Sequence, residues 1–153
     1  MSRSTPDPAT PAAREPAFGK AEFETLSEFR YQLRRFQRWS EDLTRSAGVT
    51  NLQYLLMLHV KGFPGREWAT IGELAERLQA RHHGVVALVS RCAKLGLVER
   101  RAGRDDGRAV EVHLTPRGER TVGRLARLHR DELVRLDGAF AVPRRRDLGG
   151  AQG

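Results

Sequence analysis

The side chains able to carry chemistry in this chain gather between Arg81 and Arg108. There stand His82 and His83, Ser90, Cys92, the carboxylate pair Asp105 and Asp106, and the cations Arg81, Arg91, Lys94, Arg100, Arg101, Arg104 and Arg108. A metal centre would need ligands that converge. Adjacent histidines on a helix point apart, His59 or His113 would have to assist, and no second Cys/His pair lies at ligand spacing, so no metal is expected. A redox sensor needs an accessible thiolate, whereas Cys92 falls on the apolar side of its segment and fits an inert buried thiol. Catalysis is not expected either. No nucleophile stands with a base and an orienting group, no phosphate loop is present, and Asp105 and Asp106 sit in a solvated turn. Binding of a polyanion is left, and for that the stretch is well supplied: eight basic residues against four acidic ones from Arg81 to Arg117.

The whole composition agrees. Lys and Arg number 27 against 19 Asp and Glu, a net charge of +8, which favours nucleic acid over a membrane surface as partner. The single cysteine excludes an intrachain disulfide framework and fits a reducing compartment. No apolar run reaches the ~18 residues of a membrane span, and Arg3 and Arg14 enclose no apolar core of a secretory signal. A cytoplasmic protein is expected. At 153 residues the chain has room for one domain with a sizeable core.

These residues have to be positioned by the elements around them. Thr70 and Glu73 form a capping box that opens a helix to Leu78. After a polar break at Gln79 to Arg81, the spacing of Val85, Leu88, Val89, Cys92 and Leu95 predicts a second helix with its cations and histidines on the opposite face. Gly96 stops it. Leu97 to Arg101 and Ala109 to Leu114 read as strands joined by a turn containing Gly103 and Gly107, and Glu67 to Ala69 could add a short third strand. This helix, turn, helix, basic hairpin order is that of a winged helix.

Two long stripes flank it. Phe23, Leu26, Phe29, Leu33, Phe36, Trp39 and Leu43 predict a helix over about 20–47. Thr115 and Pro116 start a second, with Val122, Leu125, Leu128, Leu133, Leu136 and Phe140 on one side, over about 116–141. Between the first stripe and the winged region, Thr50 and Gln53 cap a short, mostly apolar helix expected to be buried. Residues 1–17 hold four of the seven prolines, and 143–153 hold three arginines without a periodic core, so both ends are expected to be disordered. The expected organisation is one domain over 18–142, with the reading part at about 50–114.

Four segments together resemble the MarR family of winged-helix bacterial regulators. They are Ile71-Gly-Glu-Leu-Ala-Glu-Arg-Leu78, Leu95-Gly-Leu-Val-Glu-Arg-Arg101, Asp106-Gly-Arg108 and Leu114-Thr-Pro-Arg-Gly118. The resemblance covers roughly Phe29 to Leu136. It implies a mainly α fold with a small β wing, and a homodimer whose first and last helices intertwine. It also implies two recognition helices on a pseudo-palindromic operator, and a ligand or oxidant sensed between the dimerisation and DNA-binding parts. Carried over by position, Arg81 to Lys94 is the recognition helix, Arg108 the wing-tip arginine of the minor groove, and Asp106 the carboxylate that holds it. The chain departs from the family at Gly84, where Ser or Thr is frequent, at Cys92, where a core Leu is usual, and after Phe140, where further helix is usual.

The function expected is a ligand-responsive repressor of transcription that binds double-stranded DNA as a homodimer. Arg81, His82, His83, Val86, Ala87, Ser90, Arg91 and Lys94 are assigned to the major groove, Arg108 to the minor groove, and Arg100, Arg101 and Arg104 to phosphates. Trp39, Tyr54, Met57, His59, Phe63 and Trp68 are the candidate lining of a cleft for a small-molecule effector; no cofactor is expected. Two rivals stand beside this reading. One is a winged helix that docks an acidic protein partner without specific DNA. The other is a sensor switched by metal or oxidant at His82, His83 or Cys92.

Overall fold

The computed structural model describes residues 18–103, 109–137 and 140–149. The expectations for residues 1–17, the last four residues, and Arg104, Asp105, Asp106 and Arg108 lie outside the described residues.

Helix α1 (Lys20–Ser46) starts where the Glu22 carboxylate accepts the Gly19 N–H at 2.9 Å. It ends before Gly48, whose φ of +79° is one that glycine adopts without strain. Helix α2 (Asn51–Lys61) opens with the expected capping box. Gln53 N–H donates to Thr50 Oγ1 at 3.1 Å, and Thr50 N–H donates to Gln53 Oε1 at 2.9 Å. Leu56, Met57 and Val60 of this helix are fully buried, so α2 is the central element against which the others pack.

Strand β1 (Trp68–Thr70) runs directly into helix α3 (Ile71–Leu78), capped by Thr70, and Gln79, at φ +49°, turns the chain toward helix α4 (His82–Lys94). Strands β2 (Val98–Ala102) and β3 (Val110–Leu114) complete an antiparallel sheet of order β1-β3-β2, with Arg100 opposite Val112 and Ala69 opposite Val112 on its other side. The third strand glimpsed at Glu67 to Ala69 is therefore real, one residue later. Apolar side chains of α2, α3, α4 and the sheet meet in one core that includes Leu74, Val85, Val89, Cys92, Leu97 and Val112.

Helix α5 (Pro116–Arg135) is capped by Thr115, whose Oγ1 accepts the Gly118 N–H at 3.0 Å and donates to the Gly96 carbonyl at 2.6 Å. That second bond ties the start of α5 to the turn that ends α4. The junction is tight: a Cβ on Gly118 would stand 2.0 Å from the Leu97 carbonyl oxygen.

The C-terminal expectations need correction. Helix α5 stops at Arg135 instead of continuing to about 141, because Asp137 and Gly138 are weak helix formers. Phe140 is not the last residue of the stripe but folds back onto α1, 6.0 Å from Phe29 and 5.9 Å from Phe36 between ring centroids. Part of the tail expected to be disordered is a 3-10 turn, Arg145–Leu148, in which the Arg144 N–H donates to Asp147 at 2.8 Å, and Gly149 rests against Glu22. The buried face of α5 is Gly118, Val122, Leu125 and His129, while Leu128 and Leu133 are exposed.

Candidate nucleic-acid interface

Helix α4 divides cleanly. Val85, Leu88, Val89 and Cys92 are buried against α2 and α3. Arg81, His82, His83, Val86, Ala87, Arg91 and Lys94 are exposed, and the helix contains no carboxylate at all. The structure thus brings seven of the eight residues assigned to the major groove onto one free face. Gly84 lies among them with nothing within 4 Å of where its Cβ would be, so the missing side chain opens the first turn to close approach.

The start of α4 differs from those of its neighbours. Thr50, Thr70 and Thr115 cap α2, α3 and α5 through their hydroxyls, whereas Arg81 at the head of α4 makes no side-chain cap. The first N–H groups of α4 therefore face outward together with Arg81, His82 and His83, an arrangement suited to a phosphate.

The eighth residue, Ser90, is half-buried and engaged. Arg100 Nη2 donates to Ser90 Oγ at 2.7 Å and reaches the Val86 carbonyl at 3.4 Å, to which the Ser90 hydroxyl also donates at 3.0 Å. Arg100, expected on a phosphate, instead straps strand β2 to the exposed side of α4. Arg101 is paired with Glu99, its Nε donating at 2.9 Å, and remains exposed. A groove of about 300 Å³ lies between the start of α3, His82 and Val86 of α4, and Arg100 and Val110 of the sheet.

The six residues expected to line an effector cleft do not all converge: Trp39 and Tyr54 both pack on His129, and the other four lie apart from it. Met57 is in the core with no exposure. Phe63 and Trp68 clasp the guanidinium of Arg66, at 4.3 and 3.8 Å from their ring centroids, and Arg66 pairs with Glu73. His59 is half-buried, and burial together with the nearby Arg77 charge lowers its pKa below the usual 6.5. Trp39 lies in a groove between α1 and α5. Only Tyr54 lines the apolar cavity of about 460 Å³ that opens between α1, α2 and α5. Aromatic residues at helical spacing serve packing as readily as ligands, which is why type and spacing alone did not sort them.

That cavity has a polar floor the sequence reading missed. His129 is buried, its Nδ1–H donates to the Leu125 carbonyl at 2.7 Å, and its Nε2 lies 2.7 Å from the Ser40 hydroxyl. Ser40 Oγ also lies 3.0 Å from Asn51 Oδ1, and the Tyr54 ring stacks on the imidazole at 4.5 Å and 9°. The signal was present: His129 stands four residues from both Leu125 and Leu133, inside the apolar stripe of α5.

Cys92 is fully buried, and desolvation pushes its thiol pKa up to about 11 against the opposing pull of Arg91. Among the described residues no group of three or more His, Cys, Asp or Glu could hold a metal ion. No helix among them is long and apolar enough to cross a membrane.

A helix–turn–helix whose second helix is free, basic and carboxylate-free, backed by a three-stranded antiparallel sheet, defines a winged helix–turn–helix protein. Within that class, residues 47–109 match the model of the MarR family. The whole fold is similar to that of AbsC, a MarR family transcriptional regulator from Streptomyces coelicolor, at 20% identity and a TM-score of 0.66 over 79% of each chain. It is also similar to a further MarR family transcription regulator, at 25% identity and a TM-score of 0.67 over 78% of this chain and 77% of that one. A MepR mutant from S. aureus, bound to an oligodeoxyribonucleotide, is 17% identical with a TM-score of 0.59 over 82% of this chain and 87% of that one. Comparison with curated proteins gives no match.

Proposed function

We propose that the protein is a sequence-specific, double-stranded DNA-binding regulator of transcription that acts in the cytoplasm as a homodimer on a pseudo-palindromic operator. The observation that carries this reading is the exposed face of α4, which bears five basic or imidazole side chains and no carboxylate, three of them at an uncapped helix start and two in the last turn. Arg81, His82 and His83 serve phosphates and base edges at the entry of the helix, Val86 and Ala87 offer apolar contact to thymine methyls, and Arg91 and Lys94 complete the positive edge. Ser90 and Arg100 hold strand and helix together. Arg108 is assigned to the minor groove, as its sequence position suggests, with Arg104 assigned to a phosphate and Asp106 to holding Arg108.

Helices α1 and α5 serve as the dimerisation elements and residues of about 50–114 as the DNA-binding part. In support, Phe23 and Val134 are 60% and 69% exposed in the single chain, large apolar surfaces that a second copy would cover. The cavity floored by Ser40, Tyr54 and His129 suits a small apolar effector with one hydrogen-bonding group, whose entry would shift α2 and α5 and release the operator.

Selection of bound duplexes from a random pool tests the reading. Enrichment of an inverted repeat with half-sites about one helical turn apart is expected. A pool that stays flat, while an acidic protein partner competes for the same face, would favour the protein-docking alternative.

A further inference from the structure

The basic surface does not end with α4. Along α5, Arg117, Arg120, Arg124 and Arg127 are all exposed, and their steps of three, four and three residues place them on one side of the helix, turned away from the buried face of Val122, Leu125 and His129. Among the described residues none of the four has a carboxylate partner. The one acid in this half of the helix, Glu119, is bound by Lys61 at 2.9 Å on another side. At 1.5 Å per residue the stripe runs about 15 Å, the rise of about four nucleotides along one strand. It also starts beside the recognition helix, because the Thr115 hydroxyl and N–H bind the Gly96 and Leu97 carbonyls, just past Arg91 and Lys94.

We infer that this arginine stripe is a second DNA contact, a sequence-independent track for the phosphate backbone that continues the positive edge of α4. The inference rests on the DNA-binding reading above. Four like charges on one helix face repel one another, and nothing else among the described residues balances them. A row of phosphates does. Arginine suits it, since each guanidinium offers a planar fork of donors to phosphate oxygens.

The test is the salt dependence of binding to a mixed-sequence DNA duplex, compared between the wild type and the triple variant Arg120→Gln, Arg124→Gln, Arg127→Gln. Each lost phosphate contact should reduce the slope of log affinity against log salt by about 0.9, so the variant should lose about 2.7 from its slope for each protomer on the duplex, and about twice that for the homodimer. Over a fourfold rise in salt, the wild type should then shed about 40-fold more affinity than the variant per bound protomer. The matching Arg→Lys triple variant should restore the slope, and thermal unfolding should be alike in all three, since these side chains are exposed. A wild-type slope retained by the Gln variant would overturn the track while leaving the α4 interface standing. That result together with changed sedimentation would assign the stripe to a contact between copies. Failure of the wild type to bind any duplex at low salt would overturn both readings.

Discussion

Arg100 shows how far one residue's role can move once its neighbours are placed. Its type and its position on a basic hairpin pointed to a phosphate, yet its guanidinium is engaged by Ser90 and the Val86 carbonyl of α4. No spacing rule announces this contact, because the two partners are brought together only by the crossing of strand and helix. Ser90→Ala and Arg100→Ala should therefore be non-additive in DNA affinity, with a coupling of about 0.5–1 kcal/mol in a double-mutant cycle, and strictly additive losses would count against the strap. Cys92, by contrast, was legible from the apolar period of α4 alone. With its pKa near 11, about one thiol in ten thousand is ionised at neutral pH. Native protein should resist alkylation and peroxide until it unfolds, and reaction at the rate of a free cysteine would restore the redox-sensor alternative. His59 makes a further, signed prediction. Its folded pKa is lowered, so below the ordinary value the unfolded chain takes up more protons than the native one. Stability should fall as pH drops through the ordinary histidine value of 6.5, and His59→Gln should flatten that part of the curve in chemical denaturation.

At the scale of elements, the sequence marks starts better than ends. Three helices open on threonine caps that were readable in advance, at Thr50, Thr70 and Thr115, since capping depends on local chemistry. The end of α5 was not readable, because Phe140 belongs equally to a longer helical stripe and to a chain that folds back onto Phe29 and Phe36. Distant partners decide between those, as they also decide that Arg145–Leu148 is ordered against α1. Two glycines offer a sharp test, Gly118 at the junction of α4, the sheet and α5, and Gly84 in the first turn of α4. Gly118→Ala would drive a Cβ to 2.0 Å from the Leu97 carbonyl, and a loss of about 3 kcal/mol of unfolding free energy is expected. Gly84→Ala meets open space within α4, and a gain of up to about 1 kcal/mol is expected from helix propensity. Equal effects of the two in urea denaturation would contradict the packing described.

For the whole molecule, the order of helices and strands was readable because each local signal agreed with the next: capped helix, polar turn, helix with a basic face, glycine stop, hairpin. What the stripes of α1 and α5 face was not, since a periodic apolar side specifies burial and leaves the partner open. The exposure of Phe23 and Val134 in the single chain argues for a second copy. Phe23→Asp or Val134→Asp should then yield monomers in sedimentation, with the winged region still folded; a wild type that is already monomeric at micromolar concentration would dismiss the dimer. The central claim remains that the free face of α4 reads DNA sequence. It is tested most directly by the ratio of affinities for a selected duplex and its scrambled counterpart at physiological salt. The account predicts a ratio of at least about 10³, reduced toward one when Arg81 and Arg91 are both replaced by alanine. A ratio near one for the wild type would contradict it.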